Sequence, residues 1–463
     1  MSYVITEDFP ATDTAIPLIP LRESELASWL KEAAPGEARW IEASGFQAKP
    51  GELLSLPDED GNLKRCLFGM QEKGWLYQLA AIQPKLPAHV YTLECSWTER
   101  QIRQAALGWG LATYRFGRYR KESAKKTGAT AELLIPADMV KTIEPLRAAQ
   151  CLVRDLVNTP TEHMGPAELS DAVVTVADRF GAETTIVSGA DLLTDNFPAI
   201  HAVGRASASE PRLVQLTWGD EANPLLALVG KGVCFDTGGL DIKNSSGMIL
   251  MKKDMGGAAH VLALASLVMA FNLPVRLLML IPAVENSIAG NAYRPGDVIP
   301  TRKGLQVEIG NTDAEGRVVL SDALALACEQ NPDLVIDFAT LTGAARVALG
   351  PDLPPVFSND TDVAKDIVRT GDEVEDPMWV MPLYQPYNEQ IKSKIADINN
   401  SSTSSYGGCI TAALFLEHFV EPGIPWVHID TFAWNQSNRA GRPEGGEALG
   451  LRAVFEYLQS RYA

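Results

Sequence analysis

The sequence predicts an α/β protein in two parts, a small N-terminal α/β domain and a larger C-terminal α/β domain whose mixed central sheet is flanked by helices. The first observation is length: 463 residues, at roughly 100 to 200 residues per domain, argue for two or three domains rather than one. The second is the alternation of the later chain. Leu225 to Val229, Val275 to Ile281 and Leu334 to Phe338 are continuous apolar runs that read as buried strands, and helical segments near Ala258 to Ala270 and Val318 to Ala327 separate them. The third is a contrast. Residues 1–136 mix short apolar runs such as Trp75 to Ile82 with one amphipathic helix carrying Ile102, Ala105, Trp109, Ala112 and Phe116 at helical spacing. Between the parts, Pro145 to Val157 sets Leu146, Ala149, Leu152 and Leu156 on one helical face, and Asn158-Thr159-Pro160 stops it. This linker helix opens the second domain, residues 137–463.

Composition narrows the function. Fifty-eight acidic residues against 40 basic ones give a formal charge of -18, a field that repels nucleic-acid phosphates and anionic membranes. Nucleic acid is therefore not an expected partner. The six cysteines, Cys66, Cys95, Cys151, Cys234, Cys328 and Cys409, lie too far apart for a zinc knuckle or redox pair and suit a reducing compartment. The amino-terminal MSYVITEDFPATDT has no basic region followed by an apolar core, and no apolar run approaches the ~20 residues that span a bilayer. A soluble, cytoplasmic protein without a membrane partner is expected. Internal repeats and low-complexity tracts are absent from the sequence.

Glycines and charges gather in three loops after the apolar strands, where open α/β sheets place their ligands. The first runs from Gly230 to Gly239, GKGVCFDTGG, and continues to Lys243. It has neither the Walker spacing with its closing Lys-Ser/Thr nor a dinucleotide fingerprint, but it carries Lys231, Asp236 and Lys243. The second holds Asp254 at the start of a Gly/Ala-rich apolar helix, where a buried carboxylate costs several kcal/mol unless a cation or donor meets it. In the third, Asn311 to Arg317, an extended backbone would put Asp313, Glu315 and Arg317 on one face. Each charge alone reads as a solvated loop residue, and the third loop alone reads as a salt-bridged turn. Together, Asp236, Asp254, Asp313 and Glu315 cannot all stay ionised without counter-charge. A pair of divalent ions sharing bridging carboxylates and activating a water for hydrolysis is the simplest account.

The motifs NTDAEGR at Asn311 to Arg317, GKGVCFDTGG at Gly230 to Gly239 and MKKDMGGAA at Met251 to Ala259 resemble those of the leucyl aminopeptidase family, the M17 metallopeptidases. The resemblance spans about Asp155 to Leu451 and implies that the larger domain is catalytic, removing Leu-like N-terminal residues from short peptides with broad specificity. It implies one metal at Asp236, Asp313 and Glu315, the carbonyl of Asp313 contributing. A second would lie at Lys231, Asp236, Asp254 and Glu315, with Asp236 and Glu315 bridging. The metals would be Mn²⁺ or Zn²⁺, with Mg²⁺ also compatible. By the same resemblance Lys243 faces the scissile carbonyl, Arg317 holds a bicarbonate general base, the Leu341 backbone holds the peptide, and Met251, Thr340 and Gly343 wall the side-chain pocket. None of the six histidines falls at a ligand position, and H-E-x-x-H is absent. Hexameric assembly is also implied.

The chain departs from the family pattern in places. Thr237 replaces the usual serine and keeps its hydroxyl. His260 follows GGAA where a small hydroxyl residue is common, and is expected to be a satisfied core or helix-surface histidine. After His428-Ile429-Asp430 the pattern diverges, so Phe432 or Trp434 could narrow the pocket. Asn399 to Gly408 reads either as a mobile loop near the cleft or as surface linker. The competing functions are a non-catalytic or DNA-binding regulatory member of the family and a two-metal phosphatase, which would need histidine ligands.

Overall fold

The computed structural model describes residues 3–6, 15–121 and 130–463; part of the amino-terminal stretch weighed above lies outside them. The chain divides into two compact units. One comprises Met1–Cys151 with Ser437–Glu444, the other Leu152–Gln436 with Gly445–Ala463. The return of Ser437–Glu444 to the first unit has no signature in the sequence.

The first unit is a six-stranded sheet in the order β1 (Tyr3–Thr6), β6 (Glu132–Pro136), β5 (Val90–Leu93), β2 (Ile16–Leu21), β4 (Leu63–Gly69) and β3 (Leu53–Pro57). Only the β3–β4 pair is antiparallel. The amphipathic helix runs from Glu99 to Ala112, its first turn closed by a capping box between Thr98 and Gln101. Phe116, expected on this helix, lies beyond it, because the Thr113 N–H and hydroxyl both turn back to Gly110 O and end the ladder. The linker helix spans Ala137–Asn158, starting well before Pro145. Burial of Met139 and Ile143 in the core of the first unit holds the turns ahead of the proline.

The second unit is a mixed sheet in the order β16 (Trp379–Val380), β15 (Pro355–Ser358), β18 (Trp426–Asp430), β14 (Leu334–Ala339), β9 (Leu225–Gly230), β11 (Arg276–Asn286), β8 (Arg212–Trp218) and β7 (Glu183–Ser188). The central strands β18, β14, β9 and β11 are parallel. Alternate residues of β9 face opposite ways. Leu225, Ala227 and Val229 join the core with Val318, Leu320 and Leu324 of the helix Glu315–Glu329, while on the other side Gly230 abuts Ala258 and Val261 of the helix Gly256–Ala270.

Part of the glycine-rich segment expected as a loop is instead a strand, β10 (Gly232–Asp236), which continues β9 after one residue and pairs with the far half of β11; the rest, to Lys243, is loop, with Gly238 and Gly239 at positive φ. The eleven residues of β11 are long enough to serve both. Lys231 sits at the break, donating its backbone N–H to Phe338 O.

Inside the sheet, neighbouring β14 and β18 place Asp337 beside His428. Asp337 Oδ1 lies 2.6 Å from His428 Nδ1, and its Oδ2 accepts the Trp426 indole N–H at 2.7 Å. Burial opposes the imidazolium, but the Asp337 carboxylate more than offsets it and raises the His428 pKa. A raised folded pKa means the charged pair contributes fully below the unfolded pKa of ~6.5 and that this contribution is lost as pH rises through the folded value. Asp337→Ala, leaving both partners unpaired, should cost about 3–5 kcal/mol. Urea unfolding should also show His428→Gln losing more stability at about pH 5.5 than at about pH 8.5; equal losses would mean that the histidine is neutral throughout.

Candidate metal centre

The sequence-predicted charges meet at the carboxyl edge of the parallel strands. Lys231 follows β9, Asp236 ends β10, and Asp254 comes from the 3₁₀ turn Met251–Met255 before the Gly256 helix. Asp313 and Glu315 come from the turn that opens the Glu315 helix.

The close approaches that join them require glycine. A Cβ on Gly257 would lie 2.1 Å from Phe338 O, and one on Gly316 2.5 Å from Lys231 Cε. Glycine at 257 lets the Asp254 turn close on β14, and glycine at 316 leaves the volume that the Lys231 side chain fills.

Carboxylate oxygens of Asp236, Asp313 and Glu315 lie within 4.8 Å of one another. Asp254 joins through Lys231, whose Nζ is 2.8 Å from both Asp254 Oδ2 and Glu315 Oε1 and donates to Thr340 O at 3.0 Å. Lys243 Nζ is 2.7 Å from Asp236 Oδ2 and also pairs with Asp313. Four carboxylates thus share two ammonium groups, and all but Asp313 are buried.

The crowding shifts the acidities of these groups. Burial, with the neighbouring Asp236, pushes Glu315 up to about 8, and burial with Asp254 pushes Asp236 up to about 6. Asp254 is held low: burial opposes its charge, but Lys231 outweighs it. Burial likewise opposes the Lys231 ammonium, which Asp254 and Glu315 nevertheless hold above its usual range. Among the described residues Glu315 Oε2 meets no donor, and Asp254 Oδ2 and Glu315 Oε1 meet only the Lys231 ammonium, at 2.8 Å. Carboxylate oxygens in negative excess over the two ammonium groups suit hard divalent cations.

Glu315 and Arg317 are not on an extended segment, as the alternation argument assumed. Glu315 begins a helix, so Arg317 turns away and donates Nη1 to Asn400 O at 2.8 Å. Its Nε has no partner, and burial lowers its pKa to about 10. Arg317 borders a cleft of about 300 Å³ with Asp313, Leu341, Thr342, Gly343, Ser401 and Ser402. A larger crevice, about 570 Å³ around Arg276 and Trp218, touches none of these residues. Thr340 donates its hydroxyl to Asp254 Oδ1 at 2.7 Å. Leu341 and Thr342 give their backbone N–H groups to Asp430 Oδ1 at 3.0 and 3.3 Å.

Three supporting residues escaped the sequence reading. Asn286 at the end of β11 donates to Asp236 Oδ1 and to Thr312 O. Asp241 accepts the Thr312 N–H. Asn400, fully buried, accepts from the Gly310 and Asn311 N–H groups and donates to Asn311 O. The segment read as mobile or surface linker is therefore anchored at Asn400. Their only sequence signal is an amide or acid at the end of an apolar strand or inside a polar loop, which is too common to single out. His260 is satisfied as expected: Nδ1 is 2.6 Å from Gly256 O, and Nε2 accepts the Leu449 N–H. Thr237 keeps the hydroxyl bond, to Asn286 O. All six cysteines are free.

Residues 151–455 match the model of the cytosol aminopeptidase family, catalytic domain, and residues 16–136 that of the M17 aminopeptidase N-terminal domain. The probable cytosol aminopeptidase of Roseiflexus castenholzii is 39% identical over 364 residues, 75% of this chain and 74% of its own. That of Parasynechococcus marenigrum is 34% identical over 466 residues, 95% of this chain and 96% of its own. Among solved structures, cytosol aminopeptidase from Coxiella burnetii superposes with a TM-score of 0.95 at 47% identity, covering 100% of both chains. The bottromycin maturation enzyme BotP in complex with Mn gives 0.87 at 31% identity, covering 97% of this chain and 100% of that one.

Because Asn400 ties the Asn311 turn to Arg317, Asn400→Ala should weaken Mn²⁺ binding by about 10–100-fold in calorimetric titration of the folded protein. Unchanged affinity would mean that the turn holds its shape unaided.

Proposed function

The chain belongs to the cytosol aminopeptidase family, and on that premise we propose that it hydrolyses the N-terminal residue of short peptides at a two-metal centre. The observation that carries this reading is the convergence of Lys231, Asp236, Asp254, Asp313 and Glu315, four carboxylates sharing two ammonium groups in a largely buried site. Asp236, Asp313 and Glu315 would hold one ion, and Lys231, Asp236, Asp254 and Glu315 the other. Two divalent ions there, Mn²⁺, Zn²⁺ or Mg²⁺, would supply Lewis-acid polarisation and an activated water, and a bicarbonate at Arg317 a proton acceptor. Mn²⁺ has a precedent in the BotP complex.

The protein's own groups have distinct tasks. Lys231 serves as a ligand only when neutral, which a neighbouring dication favours by repelling its ammonium form. Lys243, only part-buried, places positive charge where the scissile carbonyl develops an oxyanion. Leu341 gives its N–H to Asp430, so its carbonyl is the group left to hold the peptide backbone. Met251, Thr340 and Gly343 wall the side-chain pocket, where a Leu- or Met-like residue fits. One methylene changes binding by only ~1–3 kcal/mol, so the preference is broad. We further propose cytoplasmic residence and a homohexamer, both by family resemblance. The charge of -18 and the complete set of charged residues weigh against a non-catalytic or DNA-binding role.

The direct test is hydrolysis of leucine p-nitroanilide by chelator-stripped protein with and without Mn²⁺ or Zn²⁺, beside an amino-blocked control. Metal-restored cleavage of the free-amine substrate alone is expected; silence across amino-acid anilides and dipeptides would favour the non-catalytic reading. Asp254→Ala and Glu315→Ala should lose metal and activity together. Lys243→Ala should keep metal and lose about 10²–10³ in kcat. Normal turnover by either ligand variant would overturn the assignment.

A further inference from the structure

Lys253 and Arg346, beside the side-chain pocket, are two cations with no hydrogen-bonding or ionic partner among the described residues. Lys253 is 2% exposed, and its ammonium makes no hydrogen bond or ion pair among the described residues. It lies 5.0 Å from the centre of the Phe432 ring, and the Arg346 guanidinium carbon lies 4.7 Å from the same centre. Arg346 is likewise without a hydrogen-bonding or ionic partner among the described residues. Its neighbour in sequence offers a contrast to Lys253: Lys252, also near an aromatic ring, gives its ammonium to Asn158 O at 2.7 Å.

The nearby carboxylates are already engaged. Asp254 faces Lys231 and the Thr340 hydroxyl. Asp430 accepts from Leu341 N, Thr342 N and the Thr342 hydroxyl. A ring face attracts a cation by ~0.5–2 kcal/mol, but two cations drawn to one ring still repel each other, and the buried Lys253 has lost its hydration. An anion placed between them would answer both deficits.

Their position says which anion. Arg346 Nη2 reaches within 3.5 Å of where a Cβ on Gly343 would stand, and Arg346, Thr342, Asp430 and Phe432 border one small recess. Lys253 lies between Met251 and Asp254 in the same 3₁₀ turn. Met251, Thr340 and Gly343 are the walls assigned above to the pocket for the N-terminal side chain.

Resting on the aminopeptidase reading, we propose that this pocket also selects acidic residues, so that the enzyme removes N-terminal Glu and Asp, with Lys253 and Arg346 as the specificity-determining residues. The methylenes of Glu lie along the walls that receive Leu, and the carboxylate meets the two cations at the rim of Phe432. Gln has the same shape and no charge, and is the proper comparison.

The experiment is kcat/KM of the metal-loaded enzyme on the p-nitroanilides of Glu, Gln and Leu, for the wild type and for Arg346→Gln and Arg346→Glu. Arg346 is exposed, so these variants fold. One buried and one exposed charge contact predict Glu over Gln by about tenfold. The ratio should fall in Arg346→Gln and invert in Arg346→Glu. Cleavage of Leu with Glu no better than Gln, or a ratio indifferent to both variants, overturns this proposal and leaves the aminopeptidase standing. Cleavage of none of the three by the wild type overturns both.

Discussion

The second unit is organised around negative charge that must be buried together. Asp236, Asp254, Asp313 and Glu315 occupy one small volume, and two lysines supply only half of the opposing charge. Water cannot solvate buried carboxylates, so the protein must either protonate them or surround them with cations and donors. The raised pKa values of Glu315 and Asp236 measure how far the lysines fall short. Buried negative charge in such excess favours a counter-charge over burial alone.

The scaffold explains how the crowding is held in place. Lys231 and Asp236 sit at the two ends of β10, and that strand is clamped along the far half of β11. Their separation is therefore set by sheet geometry rather than by loop conformation. The turn carrying Asp313 is bound on two sides, through Thr312 to Asp241, Tyr293 and Asn286 and through its backbone to Asn400. Glycines at 257 and 316 allow the turns to approach Lys231 at distances that side chains forbid. Charge is what the site has in excess, and rigid backbone is what prevents it from dispersing.

Much of this was legible in the sequence because burial writes a simple signal. The apolar runs of β9, β11 and β14 stand out since both faces are covered, and the two helices between them show equally continuous apolar character. The charged residues were legible by type and by order of motifs. Local geometry was not. Gly230 to Gly239 reads as a loop because its glycines suggest turns, yet Gly230 and Gly232 serve close packing within strands and only Gly238 and Gly239 turn the chain. Asp313, Glu315 and Arg317 look like an alternating face, yet the helix begins at Glu315 and sends Arg317 to Asn400. The early start of the linker helix was hidden by Pro145, and the pairing of Asn400 with the Asn311 turn joins segments that no local pattern connects.

The wide spacing of the site along the chain has a consequence for synthesis. A ribosome delivers Lys231 and Asp236 only at the chain's midpoint, then Asp313 and Glu315, and near the end β18, whose Asp430 fixes Leu341 and Thr342. Since β18 is also the neighbour of β14 within the sheet, the emerging polypeptide can complete neither the sheet nor the centre piecemeal. Hydrolytic competence is thereby deferred until translation is nearly finished, and a truncated product would carry most of the motifs and little of the chemistry.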